Sequence, residues 1–343
     1  MTQIQQALAK IVDNQNLSQE EACQVMDQIM SGAATEAQIG AYITALRMKG
    51  ETVDEIAGSA QAMRDKSTKI AAQGTVVDTC GTGGDSSGSF NISTTTAFVV
   101  AACGITVAKH GNRSISSKSG SADVLKALGV NIEAELAVVE KCLEKAGIGF
   151  MFAPRHHGAM KYAMGPRTQL ALRTVFNLLG PLTNPASAPY QLLGVFSPDW
   201  TEPLAKVLGR IGSKRAMVVH GHDGLDEITL TDTTRVSELH EDGSVTTYDL
   251  DPREYGLQLT SADALKGGDA ETNAAITKRI LNNEAGPMRD IVVLNAGAAV
   301  YVSGMADTLK TGIDMAHIAL ESGRAMQRLE QLIHFSNLAV DDL

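Results

Sequence analysis

The stretch from Val76 to Gly129 constrains the fold of this chain more than any other. It reads VVDTCGTGGDSSGSFNISTTTAFVVAACGITVAKHGNRSISSKSGSADVLKALG. Two glycine- and hydroxyl-rich loops each follow a short apolar segment, and each runs into sequence that predicts a helix. A strand end feeding a helix N-terminus is an anion site of α/β proteins, because unpaired N–H groups and the positive helix end converge there. The first loop, Gly81-Thr82-Gly83-Gly84-Asp85, lets backbone approach a ligand closely. Asn91-Ile92-Ser93-Thr94 predicts the helix start, with Ser93 or Thr94 as the cap. The second loop, Lys109-His110-Gly111-Asn112-Arg113, adds cations suited to phosphate, and Ser114, Ser116, Ser117, Ser119 and Ser121 add donors. One such loop alone reads as an ordinary turn. The Walker A pattern fails for want of Gly-Lys-Ser/Thr, and the dinucleotide pattern fails at Ser86. Two such loops in succession point to a phosphorylated ligand.

The rest of the chain predicts an α/β fold: a small N-terminal helical domain and a larger domain with a mostly parallel sheet covered by helices. Ser18…Glu21, Thr35…Gln38 and Thr52…Glu55 have capping-box spacing, and an earlier helix is predicted from Ile4 to Val12. Apolar residues follow at helical intervals, such as Ala22, Val25, Met26 and Ile29. From Thr75 onward, Val76-Val77, Ile105–Ala108, Ile148–Phe152, Gln191–Phe196, Ala216–Val219 and Ile291–Leu294 predict strands, with helices such as Ala134–Ala146 and Pro203–Ile211 between them. Thr234–Asp249 predicts an edge hairpin around Asp242-Gly243. Asp314–Phe335 predicts one final long helix.

Hydrophobic residues at 44% and charged residues at 20% place the 343-residue chain among globular proteins. A net charge of −10 argues against nucleic-acid binding. An acidic protein that holds a polyanion must use backbone donors, a few local cations or a metal. Cys23, Cys80, Cys103 and Cys142 form no C-x-x-C pair, as expected of reduced, packed thiols. Met1–Asn14 lacks a signal-peptide core, and no apolar run reaches the ~20 residues of a membrane span. The expected location is therefore the cytoplasm, with no membrane partner.

Asp226-Glu227 sit in His220-Gly221-His222-Asp223-Gly224-Leu225-Asp226-Glu227, after an apolar strand. Adjacent carboxylates in a loop are usually solvated charge. At a strand end they make a hard-oxygen site for magnesium shared with phosphate oxygens. Zinc on His220 and His222 is the alternative, although no third nitrogen or thiolate ligand is evident. Arg167 follows Gly165-Pro166, a turn that would fix its direction. It could pair with a helix carboxylate, or its planar fork could bind a ligand carboxylate.

Cys80–Asp85 with Asn91–Thr94, Lys109–Gly120, Gly158-Ala159-Met160-Lys161, Arg173–Pro185 and Asp226–Thr229 together resemble the anthranilate phosphoribosyltransferase family. The likeness runs from the first helices to about Gly297. It implies the nucleoside phosphorylase/phosphoribosyltransferase fold and transfer of a phosphoribosyl group from phosphoribosyl pyrophosphate to the amine of anthranilate, in tryptophan biosynthesis. It also implies a helical domain over residues 1–70, completed by helices within about 160–188, and an α/β domain over 71–343. That arrangement would place Arg167 at the cleft between them. By the same resemblance, Gly81, Gly84, Asp85, Ser89, Asn91, Ile92, Ser93, Thr94, Lys109, His110, Gly111, Asn112, Arg113, Ser114, Ile115, Ser116, Ser117 and Ser121 bind phosphoribosyl pyrophosphate. Ser89 departs from the commoner threonine but keeps the hydroxyl. Gly81, Asn112 and Arg167 bind anthranilate, with His110 and His157 lining the same pocket. Ser93, Asp226 and Glu227 hold magnesium, two ions per site, and Asp226, Glu227, Lys109 and His110 carry the catalytic roles. The resemblance further implies a homodimer through the helical domain. A related nucleoside phosphorylase is disfavoured by Asp226-Glu227. A catalytically silent, nucleic-acid-binding relative is disfavoured by the charge and by the intact Arg167, Asp226 and Glu227.

Overall fold

The N-terminal helices begin where local side chains can satisfy the free N–H groups of a first turn. The computed structural model describes residues 1–85, 87–113 and 118–342. Helices α1 (Gln3–Val12), α2 (Gln19–Met30), α3 (Glu36–Lys49) and α4 (Val53–Lys66) open the chain. Ser18, Thr35 and Thr52 each accept from the N–H three residues on, and the Glu or Gln there accepts from the cap N–H. All three predicted starts are therefore present.

The chain continues with β1 (Val76–Gly81), α5 (Ile92–Ala102), β2 (Thr106–Gly111), α6 (Ser121–Ala127), α7 (Leu136–Ala146) and β3 (Ile148–Phe152). Next come α8 (Ala153–His156), α9 (Lys161–Leu170), α10 (Phe176–Leu179), β4 (Tyr190–Gly194), α11 (Thr201–Arg210) and β5 (Arg215–Gly221). The last elements are β6 (Thr234–Leu239), β7 (Val245–Leu250), α12 (Ala270–Leu281), α13 (Pro287–Val302), α14 (Leu309–Glu321) and α15 (Arg324–Ser336). Among the described residues the strands form one sheet, in the order β3-β2-β1-β4-β5-β6-β7. Its first five strands are parallel, and the hairpin β6–β7 adds antiparallel strands at one edge, as predicted. The chain moves outward from β1 through β2 to β3, then returns to the other side of β1 with β4. The carboxyl ends of β1 and β4 thus flank a topological switch point, where open α/β sheets bind ligands.

Side chains alternate across the sheet, so each face builds its own core. Leu192, Met217 and Val219 join the helices α5, α7, α13, α14 and α15 on one face. Leu193, Val195, Ala216 and Val218 join α1–α4, α10 and α11 on the other. Helix α9 packs against α2 and α3, and α10 packs against α4. The buried Arg64 of α4 donates to the carbonyls of Leu182 (2.6 Å) and Ile211 (2.8 Å), fixing the helical layer to the sheet layer.

Some predicted elements differ. Ile291–Leu294 lies inside helix α13, not in a strand. Every residue from Ile291 to Val300 is buried, so the segment shows no helical period, and its β-branched run imitates a central strand. Pro287 at the first helical position is the contrary signal. The final helix is two: Gly323 adopts φ 72° and ends α14 before α15 begins. Helices α13 and α14 touch backbone to backbone, since a Cβ on Gly312 would stand 2.3 Å from the Gly297 carbonyl oxygen. Asn91, rather than Ser93 or Thr94, caps α5, because both of those already lie in its first turn. Gly165-Pro166 is no turn but part of α9, where Pro166 lacks the N–H that would bond back to Tyr162.

Candidate active site

Asp226 and Glu227 follow β5, and each reaches across to the β1–α5 segment. Asp226 Oδ2 accepts from the Gly83 N–H (2.8 Å), and Glu227 Oε1 accepts from the Ser93 N–H (3.0 Å) in the first turn of α5. The fit is tight. A Cβ on Gly81 would stand 2.5 Å from Asp226 Oδ2, and one on Gly194 only 1.6 Å from the Asp226 carbonyl oxygen. Both glycines end neighbouring parallel strands and pair in register. Gly83 and Gly84 adopt φ 67° and 78°, which suit glycine. Among the described residues, the N–H groups of Gly84 and Asp85 have no acceptor.

Asn295 of α13 fixes the next residue, Ile228. Its side chain accepts from the Ile228 N–H (3.0 Å) and donates to the Ile228 carbonyl (2.8 Å). Sequence reasoning misses it, because it lies in the helix that imitates a strand.

Lys109 and His110 do not lie in a solvated loop. Strand β2 runs through Gly111, pairing Lys109 with Phe150 and His110 with Met151. The lysine can be buried because acceptors and acids surround it: its Nζ donates to the Thr79 carbonyl (2.5 Å) and the Ser93 hydroxyl (3.5 Å). Burial lowers its pKa, which Asp78, Cys80 and Glu227 oppose. Asp78 accepts from Asn184 (2.7 Å) and from the His110 N–H (3.3 Å), while its burial pushes its pKa upward.

Burial raises the Asp226 carboxyl well above the usual range, assisted by the negative charge of Asp85 and Glu227. Burial likewise pushes Glu227 to about 8, opposed by Lys109 and the Ser93 N–H. Asp85 Oδ2 is buried without a partner among the described residues. Three acids with so little neutralising charge fit a hard cation. Among the described residues no three His, Cys, Asp or Glu side chains form a ready metal cage. The carboxylates of Asp226 and Glu227, with the unpartnered Asp85 Oδ2, are the hard-oxygen donors magnesium takes, its shell being filled by water and phosphate oxygens. Zinc fits poorly, because His220 bonds the Val195 carbonyl (2.7 Å) and His222 bonds Asp249 (3.0 Å).

Of the other predicted residues, Asn91 donates to the Ser119 carbonyl (3.1 Å) and accepts from Asn273 (2.9 Å). Ile92 and Thr94 are buried, and Ser89 forms an isolated bridge with Lys266. The Ser121 hydroxyl donates to the Asn112 carbonyl (3.2 Å), which closes the ends of the second loop. Arg113 turns toward Glu133 (3.5 Å) and Asp123 (4.0 Å). Ser114, Ile115, Ser116 and Ser117 lie outside the described residues. The Arg167 guanidinium lies over the Phe176 ring at 5.1 Å and has no hydrogen bond or ion pair among the described residues. Burial alone lowers its pKa. The carboxylate of Glu36, on the neighbouring helix α3, sits against Gly165.

His110 and His157 pack with ring centroids 5.0 Å apart, and the Nε2 of each is buried without a partner among the described residues. Burial lowers the His157 pKa to about 4, with His156 adding to the effect and a bond to the Thr183 backbone opposing it. A histidine held neutral in the fold binds its proton only in the unfolded chain between about pH 4 and the ordinary value near 6.5. The His157 contribution to stability is therefore expected to fall as pH drops through that window, by on the order of 2–3 kcal/mol, against the opposite contribution of the raised acids Asp226 and Glu227. Urea unfolding of wild type and His157→Gln from pH 7 to 4 measures this, and the wild type should lose that much stability relative to the variant. An unchanged profile would remove His157 as the source.

Residues 73–326 match the glycosyl transferase family, a/b domain, and residues 5–67 match its helical bundle domain. The chain is 54% identical over 335 residues to an anthranilate phosphoribosyltransferase of Acetivibrio thermocellus, covering 97% of each chain. It superposes with a TM-score of 0.93 on the crystal structure of the Thermus thermophilus enzyme of that name, at 43% identity, covering 98% of this chain and 100% of that one. The Saccharomyces cerevisiae enzyme, in complex with phosphoribosyl pyrophosphate and magnesium, matches with a TM-score of 0.88 and 27% identity over 97% of each chain. With its glycine loop, paired acids and helical layer in this arrangement, the chain belongs to the anthranilate phosphoribosyltransferase family.

Proposed function

We propose that the chain transfers the phosphoribosyl group of phosphoribosyl pyrophosphate to the nitrogen of anthranilate, at the cleft beside the carboxyl ends of β1 and β4. The observation that carries this is the buried pair Asp226–Glu227, bonded to the Gly83 and Ser93 N–H groups of the phosphate loop. The amine nitrogen forms a bond to C1 as the bond from C1 to pyrophosphate breaks. The electron pair leaves with pyrophosphate, and the nitrogen sheds a proton. An aromatic amine is neutral at pH 7, so its lone pair needs no strong base. Departure of pyrophosphate is the costly part, and fixed donors aimed at the growing charge lower its barrier.

The free N–H groups of Gly84 and Asp85, with the start of α5 at Ile92–Thr94, supply such donors. So does the second loop, from Gly111 and Asn112 to Ser121. Lys109 holds Ser93 and the Thr79 carbonyl in place from below. Asp226, Glu227 and the Ser93 hydroxyl would hold magnesium, at two ions per site, which supplies charge neutralisation on the leaving pyrophosphate. Arg167, lying on Phe176 with no acid paired to it among the described residues, binds the anthranilate carboxylate near Gly81 and Asn112. The helical part, residues 1–70 with the helices at 160–188, closes the aromatic side of the cleft. It also forms a homodimer, for which the exposed Val12 and Met48 of α1 and α3 provide apolar surface. A cytoplasmic location belongs to the same reading. Among the described residues no helix is long and apolar enough to cross a membrane.

Loss of anthranilate fluorescence, requiring both phosphoribosyl pyrophosphate and magnesium, tests the activity directly. No consumption with both present would refute it. Arg167→Ala should raise the KM for anthranilate roughly 10- to 100-fold, from loss of about 1.5–3 kcal/mol of charge-assisted binding. The KM for phosphoribosyl pyrophosphate should move far less. Equal rises in both would show that Arg167 is not the carboxylate clamp.

A further inference from the structure

Arg173 lies between the two substrate regions and is used by neither. Its guanidinium donates to the Gly84 carbonyl and lies over the Phe196 ring at 4.4 Å. The ring belongs to the same loop system. The Phe196 N–H donates to the Thr82 hydroxyl (3.0 Å), and the Thr82 N–H donates to the Gly194 carbonyl (2.9 Å). A Cβ on Gly84 would stand 3.0 Å from Arg173 Nη2, so the arginine closes directly on the loop. In a trans peptide the carbonyl and the following N–H point opposite ways. Holding the Gly84 carbonyl outward therefore turns the Asp85 N–H away from Arg173. Although exposed, Arg173 has no acidic partner among the described residues, so surface ion pairing does not account for its position.

The backbone on either side ties this latch to Arg167. Helix α9 ends at Ala171, which adopts φ 50°, a left-handed conformation costly for a residue with a Cβ. After Arg173, Thr174 and Asn177 exchange hydrogen bonds of 3.0 Å and 2.9 Å. Val175 and Phe176 are buried, and Phe176 is the platform under Arg167. Residues 171–176 thus run as a short strap from the end of α9, which carries Arg167, to Phe176 beneath that arginine, with the phosphate-loop latch at Arg173 between them.

We propose that Arg173 is a positioning residue that latches the glycine loop and couples the pyrophosphate site to the anthranilate site, an inference that rests on the transferase reading above. Ordering the loop around pyrophosphate seats Arg173, and a seated Arg173 fixes the strap that sets Phe176 under Arg167. Such coupling is reciprocal, so each ligand tightens the other.

The test titrates anthranilate by its own fluorescence, with and without magnesium pyrophosphate, which fills the phosphate loop but cannot react. In the wild type, pyrophosphate should tighten anthranilate about tenfold. Arg173→Ala should reduce this to less than about twofold, while anthranilate affinity without pyrophosphate stays the same. Arg173→Lys keeps the charge and loses the planar face, so it should fall between them. Arg173→Gln provides an independent uncharged variant. Wild-type coupling in the Ala and Gln variants, equal weakening with and without pyrophosphate, or no coupling in a wild type that binds both ligands would each overturn the proposal. A wild type that binds neither ligand would instead overturn the transferase reading on which it rests.

Discussion

Asp226→Asn combined with Glu227→Gln is expected to lower kcat by about a hundredfold or more and to move the magnesium response to higher concentration. The substitution is nearly isosteric. The amide oxygens can still accept from the Gly83 and Ser93 N–H groups, so the loop geometry should survive. What disappears is negative charge that burial already opposes, since both carboxyls are pushed well above their ordinary range. The metal-free variant should therefore be as heat-stable as the wild type, or more so. That separates loss of function from loss of fold. Steady-state rates across a magnesium titration with saturating substrates make the measurement. A variant with wild-type kcat and magnesium response would show that these acids do not hold the metal. His110→Ala should cost less in kcat, because the nucleophile needs no strong base. If His110→Ala were the more damaging change, proton transfer would limit the reaction.

Gly194→Ala should have a comparably large effect through backbone alone. The added Cβ would fall 1.6 Å from the Asp226 carbonyl oxygen and 2.4 Å from its carbon. Neither atom can swing aside as a side chain could, so the 226–227 segment must shift bodily. A displacement of about 1 Å at a reacting centre can cost on the order of 10²-fold in rate. Overpacking of a close-packed region adds about 1–3 kcal/mol of destabilisation. Gly81→Ala is the informative control. Its Cβ would meet the Asp226 carboxylate at 2.5 Å, a side-chain end that can rotate. It should impair magnesium response with a smaller loss of melting temperature than Gly194→Ala. Equal melting temperatures and rates for Gly194→Ala and wild type would show that the 226–227 segment tolerates the shift.

Legibility in the sequence followed the range of the interaction. The capping boxes at Ser18, Thr35 and Thr52 were readable because cap and partner are three residues apart. The hairpin at Asp242-Gly243 was equally local, with Gly243 at φ 82°. The glycine loop and the acid pair were recognisable as motifs, though only the fold brings Gly83 to Asp226 across 143 residues. Asn184 and Arg173 stood inside the Arg173–Pro185 motif without showing what they do, and Gly194 and Asn295 left no comparable trace. Their work depends on partners 106, 89, 32 and 67 residues away in the chain, respectively: Asp78, Gly84, Asp226 and Ile228. Lys109 reads as a loop residue in the sequence, because a buried lysine in a strand becomes reasonable only once Asp78, Glu227 and the Thr79 carbonyl are known to surround it. The misread of Ile291–Leu294 has another origin. A helix buried on every side has no amphipathic stripe from which its period can be read.

That same helix sets the height of the site from behind. Gly297 and Gly312 let α13 and α14 approach until backbone meets backbone, with no room for a side chain at either position. Asn295 stands two residues before Gly297 and grips Ile228, next to Glu227. The depth to which one helix sinks into its neighbour therefore acts as a shim beneath the acid pair. A methyl group at Gly312 would touch no substrate, yet it would lift α13 and carry the acids out of line with the phosphate loop.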